Sequence, residues 1–191
     1  MEPVAVTELK QWVYCPRIVY YHRVLGTAGK QTFKMQEARA AQDVVEELER
    51  RRGLAKYGLA GARRRFDVWM RDAGLGLAGK ADLLLETADE VAVVDFKLTS
   101  GEPGENHVIQ LGAYSMLVEA VCGSRARQAF LYRIPDGRLF PIAVTDGVWA
   151  RVVEAVREIR RVEATQWYPE MTPVRGRCAE CEFANYCADV W

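Results

Sequence analysis

The chain has 191 residues, 50% hydrophobic and 27% charged, a composition that fits one well-packed domain and excludes a disordered or fibrous chain. Lysine plus arginine equals aspartate plus glutamate at 26 each, so net charge gives no sign of a nucleic-acid or anionic partner, and such binding must come from local patches. The start, Met1-Glu2-Pro3-Val4, lacks the basic and apolar regions of a signal peptide, and no apolar run approaches the ~18 residues that span a bilayer, so a cytoplasmic protein without a membrane partner is expected.

Thr7 reads as the N-cap of a short helix to about Tyr14, with Glu8 in its first turn, and Pro16 then redirects the chain into Arg17-Ile18-Val19-Tyr20-Tyr21. A long polar helix is predicted over Lys34 to Arg52, with Val44, Val45 and Leu48 as its apolar stripe and Gly53 ending it. The middle is strand-like: Phe66, Val68 and Met70 alternate, a turn follows near Gly74 and Gly76, and Leu77–Leu85 and Val91–Leu98 come next. A helix from about Asn106 to Cys122 stops at Gly123. Then come a strand over Ala129–Ile134, a Pro135-Asp136-Gly137 turn, a strand over Leu139–Val144, and a helix to about Val162 capped by Thr145. This order implies an α/β chain of mixed α+β character, a mixed sheet with helices packed on it. From Trp167 onward the tail is aromatic, cysteine-containing and without periodicity, so something other than an apolar core must hold it.

The chemistry concentrates in Gly79-Lys80-Ala81-Asp82 and Val93-Val94-Asp95-Phe96-Lys97. Alternation along the second strand puts Asp95 and Lys97 on one face and Val94, Phe96 and Leu98 on the other. An acid and a base on an otherwise apolar strand are costly unless a metal, a substrate or one another compensates them. Two carboxylates that hold Mg²⁺ or Mn²⁺, with a lysine to stabilise the nucleophile or the phosphate charge, are what metal-dependent phosphodiester hydrolysis needs. A surface salt bridge on a hairpin is the plainer reading of a bare D-x-K. Apolar flanks and Gly79, which permits close backbone approach, argue against it. Gln110 and Tyr114, four apart on the downstream helix, can face the same site.

Five cysteines in a cytoplasmic chain suggest metal or cluster ligation rather than disulfides. Cys178-x-x-Cys181 followed by Cys187 supplies three thiols, and the fourth candidate is Cys15 or Cys122. Cys122 ends an apolar helix face, where cysteine behaves as a small hydrophobe, which favours Cys15. Four thiolates alone do not separate zinc from an iron–sulfur cluster. Arg63-Arg64-Arg65, Arg175 and Arg177 are the candidate DNA-binding cations, while neither His22 nor His107 has a local metal-ligand partner.

In order, Trp12-Val13-Tyr14-Cys15-Pro16-Arg17, Gly79-x-x-Asp82, Val94-Asp95-Phe96-Lys97, Gln110-Leu111-x-x-Tyr114 and the cysteine tail run along nearly the whole chain. Together they resemble the CRISPR-associated exonucleases of the RecB-like branch of the PD-(D/E)XK superfamily, the Cas-four family. The resemblance implies a restriction-endonuclease-like core as a single domain over residues 1–191, with 1–25 and 167–191 joining as an iron–sulfur part. It favours an iron–sulfur cluster over zinc at Cys15, Cys178, Cys181 and Cys187, with 4Fe–4S preferred to 2Fe–2S. It further implies a Mg²⁺- or Mn²⁺-dependent exonuclease acting on single-stranded DNA or overhangs. Such an enzyme would process spacer precursors in antiviral defence, with the Cas-one and Cas-two integration proteins as partners. Asp82, Asp95 and the Phe96 carbonyl would hold the metal, Lys97 would be catalytic, and Gln110 and Tyr114 would position the strand. The family's usual histidine ligand, in a pattern like E-G-x-x-x-H-E, matches Glu37-Ala38-Arg39-Ala40-Ala41-Gln42-Asp43, so Gln42 takes its place as an oxygen ligand. That departure raises two rivals: a DNA-binding adaptation factor with a vestigial nuclease site, and a zinc-stabilised nucleic-acid-binding module.

Overall fold

In the computed structural model the described residues are 2–27, 33–179 and 181–187, without the side chains of 33–35. A two-residue strand β1 (Val4–Ala5) leads into α1 (Val6–Tyr14), α2 (Pro16–Arg23) and α3 (Phe33–Arg51). Strands β2 (Arg63–Asp72), β3 (Leu77–Glu86) and β4 (Val91–Lys97) follow, then α4 (Glu105–Cys122), β5 (Gln128–Arg133), β6 (Arg138–Ala143) and α5 (Asp146–Thr165). The strands form one mixed sheet: β3 pairs antiparallel with β2 and β4, β1 and β3 are parallel, β4 and β5 are parallel, and β6 closes the far edge antiparallel to β5.

Apolar surface on both sheet faces is covered, as parallel pairing requires. The larger core sits under α1, α4 and α5 and contains Val6, Leu9, Val93, Ile109, Leu117, Leu131, Val152 and Ile159. A smaller core on the opposite face joins Val45 of α3 and Tyr57 to Leu83, Leu85, Val94, Phe96 and Phe130. Helix α4 is apolar on every side because it is buried on nearly every side, from Ile109 to Val118. Gly123, at φ 64, ends it in the left-handed cap that glycine adopts without steric cost.

Several local expectations are corrected. Helix α1 is capped at Ala5, and Thr7 lies inside the first turn, because the Glu8 carboxylate reaches back to accept the Ala5 N–H at 2.7 Å. In α3 only Val45 of the expected stripe is buried. Val44 and Leu48 are exposed at 62% and 42%, and the inward face instead carries Glu46 and Glu49. Glu49 is tolerated there because Lys56 Nζ lies 2.5 Å away and the Tyr57 hydroxyl donates to it at 3.0 Å. On β2, Val68 and Met70 enter the larger core whereas Phe66 packs with the smaller one. The alternation breaks at Asp67, whose φ of 54 turns the strand over.

Helices α4 and α5 touch at Gly112, where an added Cβ would stand 2.5 Å from Val148 Cγ1. Gly112→Ala is therefore expected to force the pair apart and cost ~1–3 kcal/mol. Urea denaturation should show this as a lower midpoint with an unchanged slope.

Candidate active site

The site forms where two strands part. β3 keeps β2 along its whole length, but β4 pairs with it only from Leu83 to Glu86, and β1 takes its other end at Leu77 and Ala78. Between these pairings lies Gly79 to Asp82, whose backbone groups on that edge need other partners. Tyr114 of α4 donates its hydroxyl to the Lys80 carbonyl at 2.8 Å, and Asp82 Oδ2 accepts the Phe96 N–H at 2.9 Å. The carboxylate thus occupies a ladder position and holds the fork open. Gly79 is required at this point. A Cβ there would meet Tyr114 Cε1 and Val6 Cγ2, each at 2.9 Å.

Asp95 and Lys97 leave β4 on the same side, with Lys97 Nζ 2.6 Å from Asp95 Oδ2 and also donating to the Phe96 carbonyl at 3.4 Å. Asp95 is 2% exposed. Burial, and then repulsion from Asp95, push Asp82 up to about 7, against the counteracting pull of Lys97, the Phe96 N–H and Gln42. For Lys97, burial works against the charge, but attraction by Asp95 and Asp82 outweighs it and raises its pKa. A half-buried aspartate beside a second carboxylate, raised by both burial and repulsion, is a pair of oxygen donors that favours a nearby cation.

Gln42 of α3 reaches this fork as expected, but as a donor. Its Nε2 donates to Glu46 Oε1 at 2.9 Å, and it acts on Asp82 only as the weakest of the influences that lower that carboxylate's pKa. Gln110 is 3% exposed, and its Oε1 is buried without a hydrogen-bond partner among the described residues. Tyr114 is equally buried, and its hydroxyl is committed to Lys80, so it sets the course of β3 directly.

Two groups that the sequence analysis passed over also face the site. Lys10 of α1 is held down to about 8 by burial and then by Lys97, with Asp95 and Asp82 pulling the other way. His107, near the start of α4, is held down to about 4 by burial and then by Lys10, so it is neutral near pH 7. Its Nδ1 accepts the Gly104 N–H at 3.2 Å. One signal in the sequence pointed to Lys10: it is the only basic residue in α1 and follows Val6 by one turn.

The four favoured cysteines come together at the far end of α1. Cys15, Cys178, Cys181 and Cys187 line one cavity with Arg17, Ile18, Tyr21, Met171, Phe183 and Ala184, while Cys122 packs against the larger core. Arg17 Nη1 approaches Cys187 Sγ at 3.2 Å, and burial pushes the Cys181 thiol up. Among the described residues no group of three or more His, Cys, Asp and Glu side chains is arranged as a metal site. A partly buried thiol set facing a cation is nonetheless the donor set that soft metals take. His22 packs edge-on against Phe183 and lies 3.8 Å from Glu182, in the tail.

The candidate DNA-binding arginines are largely engaged within the protein. Arg64 donates to the Arg52 carbonyl, Arg65 pairs with Glu86 at 2.8 Å, and Arg177 donates to the Tyr14 carbonyl at 2.7 Å. Arg63 is exposed, and Arg175 approaches Met171 Sδ at 2.6 Å.

A model of the PD-(D/E)XK nuclease superfamily matches residues 6–188. The CRISPR-associated exonuclease Cas4 of Francisella tularensis subsp. novicida (strain U112) is 28% identical over 186 residues, covering 97% of this chain and 94% of that protein. The Cas4 exonuclease of Aeropyrum pernix is 25% identical over 195 residues, covering 98% and 94%. The crystal structure of SSO0001 superposes with a TM-score of 0.62 at 18% identity, covering 100% of this chain and 88% of that one, which shows the shared fold.

The raised Asp82 pKa has a consequence for stability. The folded, metal-free protein binds this proton more tightly than the unfolded chain does, so the group's contribution is present below about pH 4 and lost as pH rises through about 7. Denaturation of metal-free protein across that range should show stability falling with pH, and Asp82→Asn should flatten the fall. A wild-type profile that rises there would contradict the assignment.

Proposed function

The chain belongs to the PD-(D/E)XK nuclease superfamily, and from that premise we propose that it is a CRISPR-associated, metal-dependent DNA exonuclease acting on single-stranded DNA or overhangs. The observation that carries this reading is the fork at Asp82 and Asp95. Two carboxylates and Lys97 converge on a gap in the sheet, with burial and Asp95 raising the Asp82 pKa to about 7. The superfamily uses divalent metals, and these donors fit Mg²⁺ or Mn²⁺, hard ions that take oxygen ligands. Asp82, Asp95 and the Phe96 carbonyl would hold the ion, which when bound supplies Lewis-acid neutralisation of the phosphate and a lowered pKa for attacking water.

The chain's own groups do the rest. Lys97, fixed between Asp95 Oδ2 and the Phe96 carbonyl, holds an ammonium where it can orient the water and meet charge developing on the phosphate. Gln110 Oε1, buried and unmatched, is an acceptor available to the strand or to an ordered water. Gln42, held by its bond to Glu46, favours the charged form of the Asp82 carboxylate. An amide flip would offer its oxygen to the ion instead.

The same reading makes residues 1–191 one nuclease domain whose segments 1–25 and 167–191 join around a 4Fe–4S cluster. What supports the cluster is that Cys15, Cys178, Cys181 and Cys187 line one cavity although 163 positions separate the first two. Bound there, it would cross-link the two ends of the domain. Spacer-precursor processing beside the Cas-one and Cas-two proteins, in the cytoplasm, follows from likeness to the Cas4 relatives. Among the described residues no helix is long and apolar enough to cross a membrane.

A second reading rests on Gln42 standing in place of the family's usual histidine ligand, with its amide donating to Glu46 at 2.9 Å: a DNA-end-binding factor with little cleavage. Mn²⁺ and Mg²⁺ titrations on 5′-labelled single-stranded DNA separate the two, since binding without cleavage in either metal favours the second. On the first reading, Asp95→Ala or Lys97→Ala lowers cleavage by at least ~100-fold and leaves the visible chromophore intact. Cleavage persisting in both variants would sink it. Cys187→Ser is expected to remove iron and visible absorbance. One equivalent of zinc without charge-transfer absorption in the wild type would displace the cluster.

A further inference from the structure

The charges at the fork leave one cation without a task. Lys97, paired with Asp95 at 2.6 Å, is committed to the reacting centre. Lys10 makes no hydrogen bond or ion pair within the described residues, although its charge acts on Lys97, Asp95, Asp82 and His107.

The register of the fold explains why Lys10 is there. β1 runs parallel to β3, with Val4 opposite Leu77 and Ala5 opposite Ala78, and α1 continues from it without a break. Val6 then lies against Gly79, its Cγ2 2.9 Å from where a Cβ would stand. One helical turn advances ~5.4 Å, which is between one and two strand residues at ~3.3 Å each. Residue 10, on the same helix face as Val6, is therefore carried toward Ala81 and Asp82, the point of the fork. α1 and α4 pack together here, and Lys10 and His107 act electrostatically on one another and both feel Asp95. His107 does not neutralise Lys10. With Nδ1 accepting from Gly104, the neutral ring carries its proton on Nε2 and offers the site a second donor. Lys10 and His107 thus add two donors on this side of the fork, which suits an anion with exposed oxygens.

We propose that Lys10 is a phosphate-binding residue whose ammonium contacts a non-bridging oxygen of the DNA strand lying across the Asp82–Asp95 fork. This rests on the nuclease reading of the same site and adds a backbone contact beyond the one assigned to Lys97 at the reacting phosphate. As a contact to phosphate rather than to a base, it is indifferent to sequence and sensitive to salt.

The test uses the full chain, Lys10→Met and Lys10→Arg, and a 5′-labelled single-stranded oligonucleotide. Binding is measured in Ca²⁺ across a series of KCl concentrations, beside cleavage in Mn²⁺ and thermal unfolding. One lost phosphate contact on a single strand makes the slope of log K against log salt shallower by about 0.7. Lys10→Met is expected to show that change, an affinity about tenfold weaker and a matching loss of kcat/KM, while Lys10→Arg keeps the wild-type slope. An unchanged slope in Lys10→Met overturns the proposal. If it comes with a lowered melting temperature, Lys10 is an internal counter-ion instead. A wild type that binds no oligonucleotide also overturns it. A wild type that binds but cleaves in neither metal defeats the nuclease reading, and a shallower slope for Lys10→Met would still support the phosphate contact.

Discussion

The hydrogen bond from the Phe96 N–H to Asp82 is the constraint on which the rest of the site depends. A sheet strand leaves a backbone donor unpaired only at a cost, and here a side-chain carboxylate takes the place of a carbonyl in the ladder. β3 and β4 can then separate without an orphaned amide, and the separation opens a gap in the middle of a covered sheet. Two acids and a lysine occupy a place where the neighbouring residues, Val93, Val94 and Ala81, are fully buried. The arrangement is electrostatically unfavourable by itself, since Asp82 keeps a proton well above the usual carboxylate range. A cationic ligand would relieve that strain, so on the proposed function one residue serves both the sheet and the metal.

The three helices over the larger core hold the fork in shape. Val6 and Tyr114 close on Gly79 from two helices, and the Tyr114 hydroxyl fixes the Lys80 carbonyl. β1 is two residues long, yet its pairing with Leu77 and Ala78 sets where α1 begins and so which of its residues overlooks the gap. The inverted turn at Asp67 matters for the same reason. It lets one face of β2 serve the larger core at Val68 and Met70 while Phe66 serves the smaller.

The chain ends meet through polar contacts as much as through apolar ones. Arg17 donates to the Pro169 carbonyl at 3.0 Å and lies over the Tyr168 ring, and Arg177 returns the link to the Tyr14 carbonyl. Arg23 joins the end of α2 to Glu8, Glu163 and the Pro3 carbonyl. The apolar cluster there is small, made of Cys15, Ile18, Tyr21 and Phe183 with partly buried neighbours. Guanidinium groups donating to fixed carbonyls therefore do much of the positioning, and this is why arginines that looked available to DNA in the sequence are engaged within the protein.

Most strand and helix positions were legible because alternation, glycine caps and the Thr145 cap are local signals, whereas β1 and the helical state of α2 were not foreseen and β2 and α5 run three residues beyond expectation at one end. Asp82, Asp95, Lys97, Gln110 and Tyr114 were legible as a set because their types and spacing are unusual on apolar elements. Sequence also paired Cys15 with the tail cysteines, through chemistry and likeness to a family. Local pattern misled at α3, where Val44 and Leu48 face solvent while Glu46 and Glu49 turn inward, because a buried carboxylate is paid for by Lys56 and Tyr57, which lie outside the helix. Only the tertiary structure decided that β3 and β4 diverge at Asp82, that Tyr114 binds backbone, and that Lys10 and His107 overlook the fork. These depend on the register of β1 on β3 and the packing of α1 on α4, contacts between segments that no periodicity within either segment encodes.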